Sequence, residues 1–216
     1  MTTYSKRKCV SKRRYKKSYK NKIKVTLDRA LSEHPRTFSI RFDLRFPKPV
    51  TDEDSKKVIW YQINNDRGVI SRFFDSFKEM VKADMNKRIK SGVRVHKTSV
   101  RYVWAREKDT SVNVHYHVHV FVNKDTYFKF VSSKENKPVL RSLAIRAWAS
   151  ALGIEPDIAV PLVYVPDNST CSLNKNELAH IFEEQYNTLL NRIYYLAKEE
   201  TKYTEDGGRS FGCSSK

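Results

Sequence analysis

Strict alternation over residues 113–124, VNVHYHVHVFVN, fixes a strand with two chemically distinct faces. Successive side chains leave on opposite sides, so His115, His117 and His119 share one face and Tyr116, Val118 and Val120 the other. Half of the chain's six histidines stand in this row. Imidazoles make a poor core face but good ligands for a divalent cation, and a His-x-His pair offers two neutral nitrogen donors from one side. His115 and His119 stand about 13 Å apart on a straight strand. One ion is therefore shared by 115/117 or by 117/119, and His117 belongs to either pair.

A second alternating stretch, TFSIRFDLRFP at 37–47, places Phe38, Ile40, Phe42, Leu44 and Phe46 on a packed face. Ser39, Arg41, Asp43 and Arg45 take the polar face, and Pro47 and Pro49 close the strand. Residues 98–107 read as a strand that pairs with 113–122 in a hairpin, its loop near 108–111. In that strand Ser99, Arg101, Val103, Ala105 and Glu107 share one side. Glu107 then falls opposite the start of the histidine strand, near His115, and is a candidate carboxylate ligand.

Helices are expected over 70–92, with Phe73, Phe77 and Val81 on the apolar stripe, and over 138–153, with Leu140, Leu143, Ala144 and Trp148. Gly92 and Gly153 end them. Between 155 and 175 the sequence predicts a short strand or an irregular connection. A long final helix runs from about 175 to about 201 on Leu178, Phe182, Leu189, Ile193 and Leu196. Antiparallel strands with helices on one face make an α+β domain.

Charge bears on partners rather than fold. The 216 residues carry 42 Lys and Arg against 24 Asp and Glu, a formal charge of +18. Such a surplus points first to nucleic acid and second to an anionic membrane surface. Residues 1–24 hold 11 of the basic residues and no acidic one. This segment is expected to be a disordered tail whose Lys6, Arg7, Lys8, Lys12, Arg13, Arg14, Lys16 and Lys17 touch a phosphate backbone. The body is then 25–202, and 203–216, with two adjacent glycines, a flexible tail. Cys9, Cys171 and Cys213 show no metal or disulfide spacing. No apolar run reaches the length of a membrane span, no secretion signal leads the chain, and a soluble intracellular protein is expected.

On the final helix, Asn191, Tyr195, Lys198 and Lys202 share a polar sector. A phenol three residues before a lysine suits attack on phosphorus, with help from a polarised phosphate or a nearby cation. Tyr194 beside it fits simple packing.

Taken in order, the strand TFSIRFDLRFP, the pair His115-Tyr116-His117 and the run Tyr195-Leu-Ala-Lys198 resemble the three motifs of the HUH endonuclease superfamily. That superfamily holds rolling-circle replication initiators, relaxases and related transposases. RFDLRFP, RFFDSF, YVWAREKD, HYHVHVFVNKD, AWASALG and YLAKEETK are more closely similar to the prophage YagK/YfjJ C-terminal domain proteins, over about residues 37–202. The resemblance implies a replication-initiator-like α+β fold and Mg²⁺ or Mn²⁺ held by His115, His117 and Glu107. It implies Tyr195 as nucleophile, Lys198 as its companion, and a 5′-phosphotyrosine formed on single-stranded or hairpin DNA at an origin-like sequence. Arg41, Arg45, Arg101 and Lys202 would help to hold the strand. The setting implied is a bacterial cytoplasm, with a mobile element that borrows host helicase and polymerase. His119 stands where the family pattern has an aliphatic residue, which leaves 117/119 open as the metal pair or makes His119 an extra contact. The alternative is a non-catalytic DNA-binding protein on the same fold.

Overall fold

A computed structural model describes residues 14–51, 58–59, 61–108, 114–127 and 139–215. The tail residues Lys6, Arg7, Lys8, Lys12 and Arg13, and most of the expected hairpin loop, lie outside the described residues. In chain order the elements are α1 (Lys17–Glu33), β1 (Arg36–Leu44), β2 (Val50–Thr51), β3 (Val58–Ile59), α2 (Val69–Lys90), β4 (Arg101–Glu107) and β5 (His115–Asn123). There follow α3 (Lys124–Tyr127), α4 (Val139–Leu152), α5 (Pro156–Ala159), β6 (Val163–Tyr164), β7 (Thr170–Asn174), α6 (Ala179–Tyr194) and β8 (Phe211–Cys213).

The main sheet is antiparallel in the order β6-β1-β5-β4-β8, with β7 also paired to β1. β1 and β5 therefore lie at its centre. Their alternation sets which residues meet which layer. Phe38, Ile40, Phe42 and Leu44 of β1, with Tyr116, Val118, Val120 and Val122 of β5, pack under α2 and α4. Phe73, Phe77 and Val81 of α2 interlock with Trp148 and Leu152 of α4 in that layer. Trp148 satisfies its ring N–H by donating to the Arg45 carbonyl at 2.8 Å.

The opposite face is covered as well, which corrects the expectation of helices on one side. Ile23, Leu27, Ala30 and Leu31 of α1 and Leu189, Leu190 and Ile193 of α6 pack on Val103, Ala105 and Phe121. Ser39 and Thr37 are consequently buried although they sit on the polar face of β1.

α1 overturns part of the tail reading. Residues 17–24 are its first two turns, not disordered chain. Apolar positions 23, 27, 30 and 31 make a stripe at helical spacing, while the lysines occupy the solvated side. Just before it, the Lys16 N–H donates to the Ala197 carbonyl at 2.9 Å, and Tyr15 bridges Lys198. The C-terminal segment is likewise tied down. β8 pairs with β4, and Asp206 accepts from both terminal nitrogens of Arg106 at 2.9 and 2.7 Å.

The final helix is shorter than expected. α6 ends at Tyr194 and the chain tightens into a 3₁₀ turn over Tyr195–Ala197. Leu178, expected on its buried stripe, is exposed ahead of the first turn. Lys202 has left the helix and does not share a sector with Tyr195.

Candidate active site at the end of the central strands

Strand register assembles the site. Across β1 and β5, Asp43 faces His117 and Arg41 faces His119. Across β4 and β5, Glu107 faces His115 and the small Ala105 faces His117. Two carboxylates thus flank two histidines at one end of the sheet, on the face covered by α1 and α6.

Asp43 is the partner that sequence reading missed in this role. Its Oδ1 lies 2.7 Å from Nδ1 of His117, and Arg41 donates from Nε to the same oxygen at 2.9 Å. Burial pushes the Asp43 carboxyl up, but the hydrogen bonds from His117 and Arg41 outweigh it and leave the group below the ordinary carboxylate range. An ionised carboxylate only accepts. Nδ1 of His117 also stands 2.9 Å from Nη2 of Arg41, a contact that would require an unprotonated Nδ1. Both cannot hold. Arg41 already has Asp43 as acceptor, so the network assigns the proton to Nδ1 and the lone pair to Nε2.

Nε2 of His117 faces His115. Nε2 of His117 is 3.2 Å from Nε2 of His115 and 3.8 Å from Oε2 of Glu107. A spacing near 3 Å is the edge expected between two nitrogens that each lie about 2.1 Å from one ion. A carboxylate behind a ligating histidine is the usual device for orienting the ring and raising its basicity. His119 follows on the same face of β5. It is 4% exposed, and its buried Nδ1 has no hydrogen-bond partner. Burial, reinforced by Arg41, holds His119 at about 3, so it is neutral.

Glu107 is occupied. Lys202 donates to its Oε1, and Thr201 donates to Oε2 at 2.6 Å. Burial pushes Glu107 up, yet these partners bring its carboxyl below the usual value. Lys202 is buried with it, so it presents no charge to a bound strand, contrary to expectation. Arg101, buried itself, is similarly spent on a salt bridge with the exposed Glu33. Among the described residues, no group of three or more His, Cys, Asp or Glu stands arranged to hold a metal. Two nitrogen donors fit an ion; the third donor is adjacent and engaged elsewhere.

Tyr195 opens the 3₁₀ turn and is partly exposed. Lys198 Nζ lies 5.5 Å from the centre of its ring. The ring lines a cavity of about 350 Å³ together with Arg41 and His119. Arg41 therefore links the phenol's cavity to His117. Lys16 and Lys20 flank the same turn, Lys20 resting over the Tyr15 and Tyr194 rings. Arg14, Lys17 and Arg45 are exposed, Arg45 lying against Tyr164.

Among the described residues, no helix is long and apolar enough to cross a membrane. The family model of the YagK/YfjJ C-terminal domain matches residues 2–214. The chain is 34% identical over 196 residues to the uncharacterized protein YagK of Escherichia coli (strain K12), covering 91% of each. It is 35% identical over 200 residues to the uncharacterized protein YfjJ of the same strain, covering 91% of this chain and 93% of the relative. One solved structure, the N-terminal nuclease domain of minute virus of mice non-structural protein-1, overlaps 74% of this chain and 75% of its own. The TM-score is 0.29 and the identity 11%.

Proposed function

The chain belongs to the YagK/YfjJ C-terminal domain family, and from the chemistry at its sheet end we propose that it nicks and rejoins single-stranded DNA through a covalent bond to Tyr195. The observation that carries this reading is the convergence of Nε2 of His115 and Nε2 of His117, 3.2 Å apart, with Asp43 behind His117. His115 and His117 would hold Mg²⁺ or Mn²⁺, and Glu107 would give the carboxylate oxygen. When bound, the ion withdraws charge from the scissile phosphate and orients phosphorus.

The chain's own groups do the rest. Oη of Tyr195 attacks phosphorus, the 3′-oxygen leaves and takes up a proton, and the 5′-phosphate stays on the tyrosine. A phenol is a weak nucleophile until its proton is drawn off. Lys198 supplies a positive neighbour for the phenolate and for charge that develops on the phosphoryl oxygens. The tyrosine ester conserves the bond, so a returning 3′-hydroxyl reseals the strand without an external energy source. Lys16 and Lys20 give the strand a basic path beside the turn, Arg45 adds an exposed charge beside Tyr164, and the segment before residue 14 adds counterion release. Such an activity suits initiation of rolling-circle replication on a prophage, satellite or plasmid, with unwinding and synthesis left to host helicase and polymerase.

One observation favours a second reading. The Glu107 carboxylate is already neutralised by Lys202, as it would be in a DNA-binding protein that keeps the fold without chemistry. A denaturing gel separates the two. End-labelled single strands from the intergenic DNA beside the gene are incubated with protein and Mn²⁺ or EDTA. Label shifted to protein size only with Mn²⁺ supports nicking. Tight binding with no adduct supports the binding reading.

A further inference from the structure

We propose that the cavity beside Tyr195 is a nucleobase pocket, taking one unstacked base of the strand next to the phosphate under attack. This rests on the nicking reading for its place in the reaction, though not for the binding itself. The cavity, about 350 Å³, lies between the β1–β5 face, the segment entering β7 and the end of α6. That volume is within the range of small-ligand sites, which join apolar walls to a few placed polar groups.

Its walls suit a flat heteroaromatic ring. Tyr195, Leu189, Cys171 and Pro166 give apolar surface. Stacking on an aromatic ring holds a base without regard to sequence. Arg41 and Arg192 stand in the lining and suit the phosphates on either side of that base. Asn168 holds its backbone at φ 55°, a left-handed conformation that non-glycine residues seldom adopt, and its carbonyl takes the guanidinium of Arg192 at 3.4 Å. The rim is therefore built around an arginine.

His119 makes the floor selective. It reaches this lining while only 4% exposed. Its Nδ1 meets no partner, so no hydrogen bond pins the ring proton to one nitrogen. A ring nitrogen in the lining can hydrogen-bond the edge of a base, which apolar walls cannot do. An aliphatic side chain would leave a pocket that holds a base without reading it.

The test uses the full chain labelled with ¹⁵N, titrated in EDTA with each of the four deoxynucleoside 5′-monophosphates and with deoxyribose 5-phosphate. Shifts are expected at Cys171, Leu189 and Tyr195. At least one nucleotide should bind about tenfold more tightly than the base-free sugar phosphate, the scale of one stacked base. Cys171→Trp, which fills the cavity, should abolish the difference. His119→Leu should equalise the four bases while leaving them tighter than the sugar phosphate. Equal affinity for nucleotides and sugar phosphate would overturn the pocket, and so would nucleotide binding that survives Cys171→Trp in a folded protein. If nucleotides bind as stated but no tyrosine adduct forms on DNA, the pocket stands and nicking falls. An adduct without nucleotide preference gives the reverse.

Discussion

Asp43 and His117 meet across the β1–β5 pair with 2.7 Å between Oδ1 and Nδ1, and this contact decides which imidazole nitrogen faces His115. Asp43→Asn keeps the shape but lets the amide present a donor to Nδ1, which allows the ring to carry its proton on Nε2. We expect Mn²⁺ affinity to fall by about 10- to 100-fold, the usual effect of losing a partner behind a ligating histidine. Isothermal titration with Mn²⁺ on both proteins measures it. Unchanged affinity would mean that Nε2 of His117 is not a donor to the ion.

The buried Glu107–Lys202 pair makes a stability prediction. Lys202→Met strands a buried carboxylate and should cost about 3–5 kcal/mol in urea unfolding. Thr201→Val removes only one hydrogen bond to the same group and should cost nearer 1–2 kcal/mol. Replacing both members, Glu107→Leu with Lys202→Met, should recover most of the loss. A Lys202→Met protein as stable as the parent would show that the pair does not form.

His119 gives a pH dependence. Its folded value of about 3 lies below the ordinary 6.5, so the unfolded chain binds the proton more readily. This contribution is fully present above pH 6.5 and is lost as pH falls toward 3, on the order of a few kcal/mol over the whole span. Urea midpoints between pH 7.5 and 4.5, measured in EDTA, should decline for the parent, and His119→Leu should flatten that slope. The same slope in both proteins would place the acid sensitivity elsewhere, for example in His34, which burial also holds below its ordinary value.

Truncation separates the basic N-terminal segment from α1. Removing residues 1–13 deletes Lys6, Arg7, Lys8, Lys12 and Arg13 and touches none of the buried stripe. Stability should stay constant, while the salt dependence of single-strand binding falls by about 0.7 in logarithmic slope for each phosphate that the shortened chain no longer neutralises. Removing residues 1–24 also takes Ile23 from the core and should unfold or strongly destabilise the protein. Thermal melts with anisotropy at several salt concentrations report both effects.

The central sheet was legible because period-two alternation survives in β1 and β5, where each face meets a different layer. Phe73, Phe77 and Val81 marked α2 for the same reason, at helical period. α1 was hidden by its composition. Its lysines dominate residues 16–24, and the stripe at 23, 27, 30 and 31 becomes clear only past the charged block. Glu107 could be matched with His115 because a hairpin fixes its own register. Asp43 could not be matched with His117, since 74 residues separate them and the pairing depends on how the whole sheet closes. Lys202 was misread for a similar reason. Periodicity placed it on α6, whereas the chain leaves the helix after Tyr194 and turns the lysine inward onto Glu107.

The most direct measurement is mass spectrometry of the covalent product. Protein is incubated with Mn²⁺ and a single strand from its intergenic DNA, the DNA is trimmed with nuclease, and the modified peptide is sequenced. A 5′-nucleotide phosphodiester on Tyr195 is expected, absent with EDTA and absent in Tyr195→Phe. Modification of Tyr194 instead, or an adduct that persists in Tyr195→Phe, would contradict it.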